Sequence, residues 1–343
     1  MTSLERVRNT IRGLPVDHLP CQPMLMMFAA RHTGIPFIDY TRDYRKMVEA
    51  QLKVAEDFGI DVVMTCSDPA REVIDIAGEG SVDWFTDQGP AINEARAALL
   101  DKRRLREFSL PDPLQPGRMN DRVLAIESLH RHVGGQMSIV GWVEGPLALA
   151  AELRGINQIM MDFIEDPPFV DELLTFTADV AIRYAEVQIQ AGADTIAMSD
   201  AAACMMGPEL YARFLQPQQM RVYQSIKQAH PEVLTRSHMC GRTDELLGTM
   251  AQMPIDIYEV DFPTTLSNVR TQLGQNRIIS GNVNTIADMV QGSPEQVYQA
   301  AAACHQTAGK YHIVNCGCEV APVTPPENLR ALIRYAREHK PVL

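Results

Sequence analysis

The chain has no apolar run approaching the roughly 18 consecutive residues of a membrane span. Its first residues, Met1–Arg12, are polar and charged, with no apolar core leading to a small-residue cleavage site. Low-complexity tracts, internal repeats and long Gly/Ser linkers are absent as well. These absences argue against membrane insertion and secretion, and the expected compartment is the cytoplasm. Positive charge is also scarce: 31 Lys+Arg stand against 43 Asp+Glu, a formal charge of -12. Such a surface repels phosphate backbones, so nucleic acid is not an expected partner. What remains is ordinary globular composition, with 46% hydrophobic and 22% charged residues over 343 positions. The chain has 7 cysteines, an odd number, so at least one is unpaired. In a reducing compartment clustered thiols point to metal binding or catalysis rather than to a disulfide framework.

Short apolar or β-branched runs alternate with longer amphipathic stretches, the pattern of a parallel sheet wrapped by helices. The runs are Cys21–Met27, Asp61–Cys66, Met137–Val143, Thr195–Ser199, Val233–His238, Ile255–Val260, Arg277–Ser280 and Tyr311–Asn315. Helical spacing marks Tyr44–Asp57, Asp121–His132, Phe169–Gln190, Pro208–Gln228, Arg242–Gln252 and Pro294–Ala308 between them. Eight strands, each followed by helix, predict a single (β/α)8 barrel (TIM barrel) domain over 1–343 with an N-terminal extension. No early glycines have the G-x-G-x-x-G spacing of a dinucleotide-binding fold. The stretch at about 69–118 is too long for one crossover and is expected to hold an insertion, with a hairpin arm near Ser81–Phe85 and an irregular loop over Leu110–Arg118.

In such a barrel the chemistry occurs where strands end and loops begin. The residues expected there are Met26, Met27, Cys66, Asp68, Trp142, Glu144, Asp200, His238, Cys240, Glu259, Asp261, Asn282, Asn284, Cys316 and Cys318. His238 and Cys240 are two apart in extended backbone and therefore project to the same side. A ligand from the last strand could complete a tetrahedral His/Cys site with one exchangeable position, and thiolates favour zinc over hard cations. Spacing alone leaves open that these are unrelated residues, the thiols packing as small hydrophobes. Cys21, Cys204 and Cys304 read as packing residues, and Cys66 as a pocket wall or a packed thiol. His130 and His132 read as a solvated helix face, and His312 as facing away from the mouth.

Several segments then resemble the uroporphyrinogen decarboxylase superfamily, whose members are (β/α)8 barrels. They are GWVEGPLAL at 141–149, EDPPFV at 165–170, AGAD at 191–194 followed by Asp200, GNVN at 281–284 and TPPENL at 324–329. The decarboxylase features are mostly missing. Their Arg-rich segment after the first strand is replaced by MFAARHTG at 27–34, where only Arg31 could serve. Cys318 stands where they carry a His, and Glu152 falls near the place of their Tyr; Ser67-Asp68 does match. His238, Cys240 and Cys318 instead match the H-x-C…C pattern of the zinc-dependent, corrinoid-linked methyltransferases of the superfamily.

The resemblance implies a Zn2+ ion on His238, Cys240 and Cys318. Glu259 is the expected fourth ligand, by similarity to the His, Cys, Glu, Cys order of cobalamin-independent methionine synthase. Glu144, Cys316 or the substrate itself are the competing fourth ligands. It further implies methyl transfer between a methylcobamide and a small thiol or related methyl donor. The chain has no D-x-H-x-x-G segment, so a partner corrinoid protein must carry the methylcobamide. Asp68, Asp200 and Glu144 are then expected to orient substrate or the metal ligands, with Met26, Met27, Cys66, Trp142 and Asn282 lining the substrate pocket. A homodimer is expected by the same resemblance. The rival classes are a metal-independent decarboxylase and a non-catalytic zinc- or corrinoid-binding accessory protein.

Overall fold

The structure is a computed structural model that describes residues 1–341. Its strands are β1 (Val62–Met64), β2 (Val82–Asp83), β3 (Ala91–Ile92), β4 (Ser138–Glu144), β5 (Thr195–Ser199), β6 (Leu234–Met239), β7 (Ile257–Val260), β8 (Ile278–Ser280) and β9 (His312–Ile313). Seven of them form one parallel sheet in the order β1-β4-β5-β6-β7-β8-β9. The eighth stave is a single bridging residue. Cys21 pairs in parallel with Val314 beyond β9, and its carbonyl accepts the Asp61 N–H at 2.9 Å just before β1. The fold is therefore the expected (β/α)8 barrel. Pro20 and Pro23 explain why the run Cys21–Met27 yields one bridge and no strand: proline has no N–H to give to a ladder. The run then bends into a helix, Met27–Thr33.

The barrel floor is closed by the N-terminal helix Ser3–Ile11, whose Val7 packs on Leu234, Ile257, Ile278 and Ile313. Residues two further along β6 and β7 point the same way, so Arg236, His238 and Glu259 fill the interior above this floor. The opposite strand faces join the main core under the helices, which takes in Met239, Val260, Ile279, Val314 and Cys316.

The helices follow the expected pattern at Tyr44–Phe58, Arg118–Val133, Pro167–Gln190 and Pro294–Ala308. Two expectations are corrected. The stretch Pro208–Gln228 is interrupted by one widened turn, Tyr211–Leu215, where Pro217 removes a helical donor. Arg242–Gln252 is helical only over Leu247–Met250. Its first residues are pinned as a loop, with the Thr243 N–H donating to Thr264 Oγ1 at 2.9 Å. Between β1 and β4, β2 and β3 form a small antiparallel arm. No helix is long and apolar enough to cross a membrane among the described residues.

Candidate metal centre

Strand register places the key groups side by side. Glu144 pairs with Ser199, Ser199 with His238, His238 with Glu259 and Glu259 with Ser280, which makes a continuous row at the C-terminal ends of β4 to β8. Cys240 lies just past the end of β6, and Cys318 arrives from the loop after β9. His238 Nε2 is 3.2 Å from Cys240 Sγ and 3.7 Å from Cys318 Sγ, and the two sulfurs are 3.8 Å apart. Zinc–sulfur bonds of about 2.3 Å and zinc–nitrogen bonds of about 2.0 Å require tetrahedral edges of about 3.8 Å between sulfurs and about 3.5 Å between sulfur and nitrogen. The donor set and its spacing therefore fit a tetrahedral zinc ion. Among the described residues no fourth His, Cys, Asp or Glu brings a donor into the cluster. An ion held by these three donors would keep a position for a ligand from outside the chain.

Glu259, expected as the fourth ligand, stands elsewhere. Its Oε2 accepts from Arg236 Nε at 2.6 Å and lies 3.6 Å from His238 Nδ1, on the side of the imidazole away from the sulfurs. Its Oε1 accepts from Asn315 Nδ2 at 2.9 Å. Arg236, one step below in the barrel interior, draws the carboxylate down and away from the mouth. Burial penalises the Glu259 carboxylate, but Arg236 and His238 outweigh it and hold its pKa down at about 2. Burial likewise disfavours charged His238, and the Glu259 carboxylate reverses this, raising the imidazole to about 10. Of the two thiols, Cys318 is pulled down, first by its contact with Cys240 and then by His238. Cys240 is pushed up by that same contact.

The loop after Cys240 is fixed from below. Asp261 Oδ2 accepts the Gly241 N–H at 2.6 Å, and Thr264 Oγ1 donates to the Gly241 carbonyl at 3.1 Å. Gly317 is the close approach that positions Cys318: a Cβ there would lie 2.3 Å from the Phe262 nitrogen. Cys316, on the other side of that glycine, is fully buried among core residues and is not part of the cluster. Its expected candidacy as a ligand is not met.

The other expected site residues divide. Trp142 points inward, its ring centroid 5.8 Å from that of His238, and forms a wall beside the cluster. Met26 and Met27 begin the helix at the first loop, and the Met27 N–H donates to Glu319 Oε1 at 2.6 Å. Met27, Arg31, Phe37 and Asp87 line a cavity of about 360 Å3 at the rim. Cys66 is buried, and burial pushes its thiol up. Glu144 accepts from Arg71 at 2.9 Å in a buried cluster with Glu72, which in turn accepts the Glu144 N–H at 3.1 Å.

Three more of the expected site residues make contacts within the fold. Asp68 is covered by Arg118, which donates to it at 2.6 Å, and by Ser67 at 2.7 Å, so it holds an arginine rather than facing an open pocket. Asn282 donates to the backbone carbonyls of Asp261 and Thr264 at 3.3 and 2.9 Å and serves the loops. Asp200 is fully buried and caps the helix Pro146–Arg154. It accepts from the Ala148 N–H at 2.7 Å and from Gln219 Nε2 at 2.8 Å. Gly145 is required beside it, since a Cβ would meet Asp200 Cγ at 2.5 Å.

Burial raises the Asp200 pKa to about 6, above the value of about 3.9 in an unfolded chain. The sign follows from linkage: its protonated form stabilises the fold below about pH 3.9, and that contribution is lost as pH rises to about 6. Relative to Asp200→Asn, wild-type stability is expected to fall across that window and to run parallel above it, by urea denaturation. Asp200→Ala, which removes the cap, is expected to cost about 1–3 kcal/mol at pH 7.

A parallel barrel with a His/Cys/Cys cluster at its mouth is an arrangement that could hold a metal ion. The family model of uroporphyrinogen decarboxylase (URO-D) matches residues 2–339, and the chain belongs to that family. Its relatives include enzymes of two kinds. A methylcobamide:CoM methyltransferase, MtbA of Methanosarcina mazei, is 27% identical, aligned over 99% of this chain and 98% of its own. A uroporphyrinogen decarboxylase of Nostoc punctiforme is 30% identical over 85% of this chain and 82% of its own. Among solved structures, a methyltransferase from Methanosarcina mazei shares the fold with a TM-score of 0.88 and 23% identity, covering 98% of this chain and 99% of that one.

Proposed function

We propose that this chain is a zinc-dependent methyltransferase that moves a methyl group between a methylcobamide on a separate corrinoid protein and a small thiol. The observation that carries the reading is the tetrahedral spacing of His238 Nε2, Cys240 Sγ and Cys318 Sγ, with one position left open. The relatives named as methylcobamide:CoM methyltransferases support it.

His238, Cys240 and Cys318 would hold the ion. A free thiol with a pKa of about 8.5 is mostly protonated at neutral pH; bound zinc takes the place of that proton and keeps the sulfur nucleophilic. The remaining tasks fall to the chain. Glu259, held by Arg236 and Asn315, lies 3.6 Å from His238 Nδ1, beyond hydrogen-bond distance, and its negative charge would favour the proton on Nδ1 and leave Nε2 to coordinate. Asp261 and Thr264 hold the turn that carries Cys240. Trp142 walls the site and excludes water on one side. The Glu259→Gln variant is expected to bind zinc about 10- to 100-fold more weakly with its fold intact, measured by competition with a chromogenic chelator.

Two observations weigh against a decarboxylase. The decarboxylase-type Asp68 is covered by Arg118 and Ser67, and a thiol of the metal cluster, Cys318, occupies the place of the decarboxylase His. The test is incubation with methylcobalamin and a panel of thiols, alongside uroporphyrinogen. Methylated thiol without any loss of carboxylate from the porphyrinogen is expected; decarboxylation without methyl transfer would overturn the reading.

A further inference from the structure

A second cavity at the mouth is distinct from the metal cluster. It measures about 260 Å3 and lies over the ends of β4 and β5. Its walls include Ile92, Ala148, Ala151 and Ile156, and its polar groups are Glu94 and Glu152. Among the described residues none of those lining it is a Lys, Arg or His. Glu94 is engaged, accepting from Asn157 Nδ2 at 3.0 Å. Glu152 is not: its Oε2 is buried and has no hydrogen-bond partner.

The charge behind Glu152 sharpens the point. Asp68, Glu72 and Glu144 lie close enough to Glu152 to push its pKa further up, after burial itself. The opposing cations are already committed. Arg118 pairs with Asp68 at 2.6 Å, and Arg71 is shared between Glu144 at 2.9 Å and Glu72 at 3.5 Å. Arg71 offsets part of the surrounding negative charge, yet the covered oxygen of half-buried Glu152 has no partner of its own. Covering a carboxyl oxygen without a partner is costly, and an incoming cation removes the cost. The alkyl walls exclude a hydrated metal ion, which would need several oxygen ligands. A sulfonate or carboxylate would be repelled. A positive group that carries its own alkyl surface matches both walls and charge.

We propose that this cavity is a subsite for an alkylated ammonium group, so that the small substrate of the enzyme is an organic cation. The assignment of the bound cation as substrate rests on the methyltransferase reading; the binding of the cation does not.

Two measurements separate these. Tetramethylammonium chloride titrated into the zinc-loaded protein, against sodium chloride at equal ionic strength, is expected to bind. Glu152→Gln should weaken it about tenfold or more, and so should Ala151→Phe, which fills the cavity and leaves the carboxyl in place. No binding to wild type, or equal binding to Glu152→Gln, overturns the subsite. In the second measurement, matched pairs of ω-mercaptoalkyl-trimethylammonium thiols and ω-mercaptoalkanesulfonates of increasing length are methylated from methylcobalamin. The cation is expected to be favoured by about tenfold or more in kcat/KM at the best length, and the ratio to collapse towards one in Glu152→Gln. A preference for the sulfonate at every length overturns the proposal and leaves the methyltransferase reading intact. Transfer to no thiol, with tetramethylammonium still bound at Glu152, supports the subsite and overturns the methyltransferase reading.

Discussion

Cys318→Ala protein is expected to fold, to bind zinc about a hundredfold more weakly, and to transfer methyl groups at about a thousandth of the wild-type rate or less. The affinity follows from losing one of three chain donors, since a full structural zinc site is worth about 10–16 kcal/mol over four ligands, or about 3 kcal/mol each. The rate follows from two losses together. An unassisted thiol is ionised to only a few per cent at neutral pH. It is also no longer held in place, and positioning alone can contribute many orders of magnitude. The fold should survive, because Cys318 is half-buried in a mouth loop and the core thiol of that segment is Cys316. Cys316→Ala supplies the contrast. It should keep zinc and most of the transfer rate while lowering stability by about 1–2 kcal/mol through lost packing. Zinc content by mass spectrometry and the initial rate of methyl transfer check both variants.

The second large effect is on stability. Arg236 and Glu259 form a buried pair under the cluster, with side chains fully covered and a contact of 2.6 Å. Arg236 also donates to Gln22 Oε1 at 3.2 Å, which ties the single-residue stave at Cys21 to the interior. Arg236→Met removes the positive partner and leaves Glu259 charged in the barrel interior, at an expected cost of about 3–5 kcal/mol at pH 7. The sign with pH is defined. The Glu259 pKa is held at about 2, below an unfolded value of about 4.3, so its pairing stabilises the wild type above about pH 4.3 and is lost as pH falls towards 2. In Arg236→Met the largest cause of that depression is gone, and His238 alone still lowers the carboxylate. The gap to wild type should therefore narrow as acid protonates Glu259, and Arg236→Met/Glu259→Gln should recover most of the loss. Urea unfolding of the zinc-free proteins between about pH 2 and 8 measures this without the linkage that bound metal adds.

Much of this arrangement was legible in the sequence, because it depends on strand ends. Seven runs became strands, and H-x-C at the end of β6 does face one point, as period-two geometry requires. Arg236 could have been found by the same rule. It lies two before His238 in a strand that is buried throughout, and a buried arginine needs a carboxylate such as Glu259 on the next strand. What the sequence hid was set by contacts between distant segments. Glu259 looked like a ligand because of its place in the order, but its carboxylate is claimed by Arg236 and Asn315. Cys316 and Cys318 looked alike until the close passage of Gly317 against Phe262 turned the chain between them. Asp200 and Asp68 lie at strand ends as expected, yet one caps a helix and the other holds an arginine. A carboxylate at the rim can serve structure as well as substrate, and only its partners tell which.

The central claim is that His238, Cys240 and Cys318 hold a zinc ion on which thiol methylation depends. The most direct measurement is methyl transfer from methylcobalamin to a thiol by one preparation, assayed as purified, after removal of metal by chelator, and after return of about one equivalent of zinc. The account predicts loss of the rate on stripping and its recovery at one zinc per chain. A stripped protein, shown to be free of metal, that transfers methyl groups at the undiminished rate would contradict it.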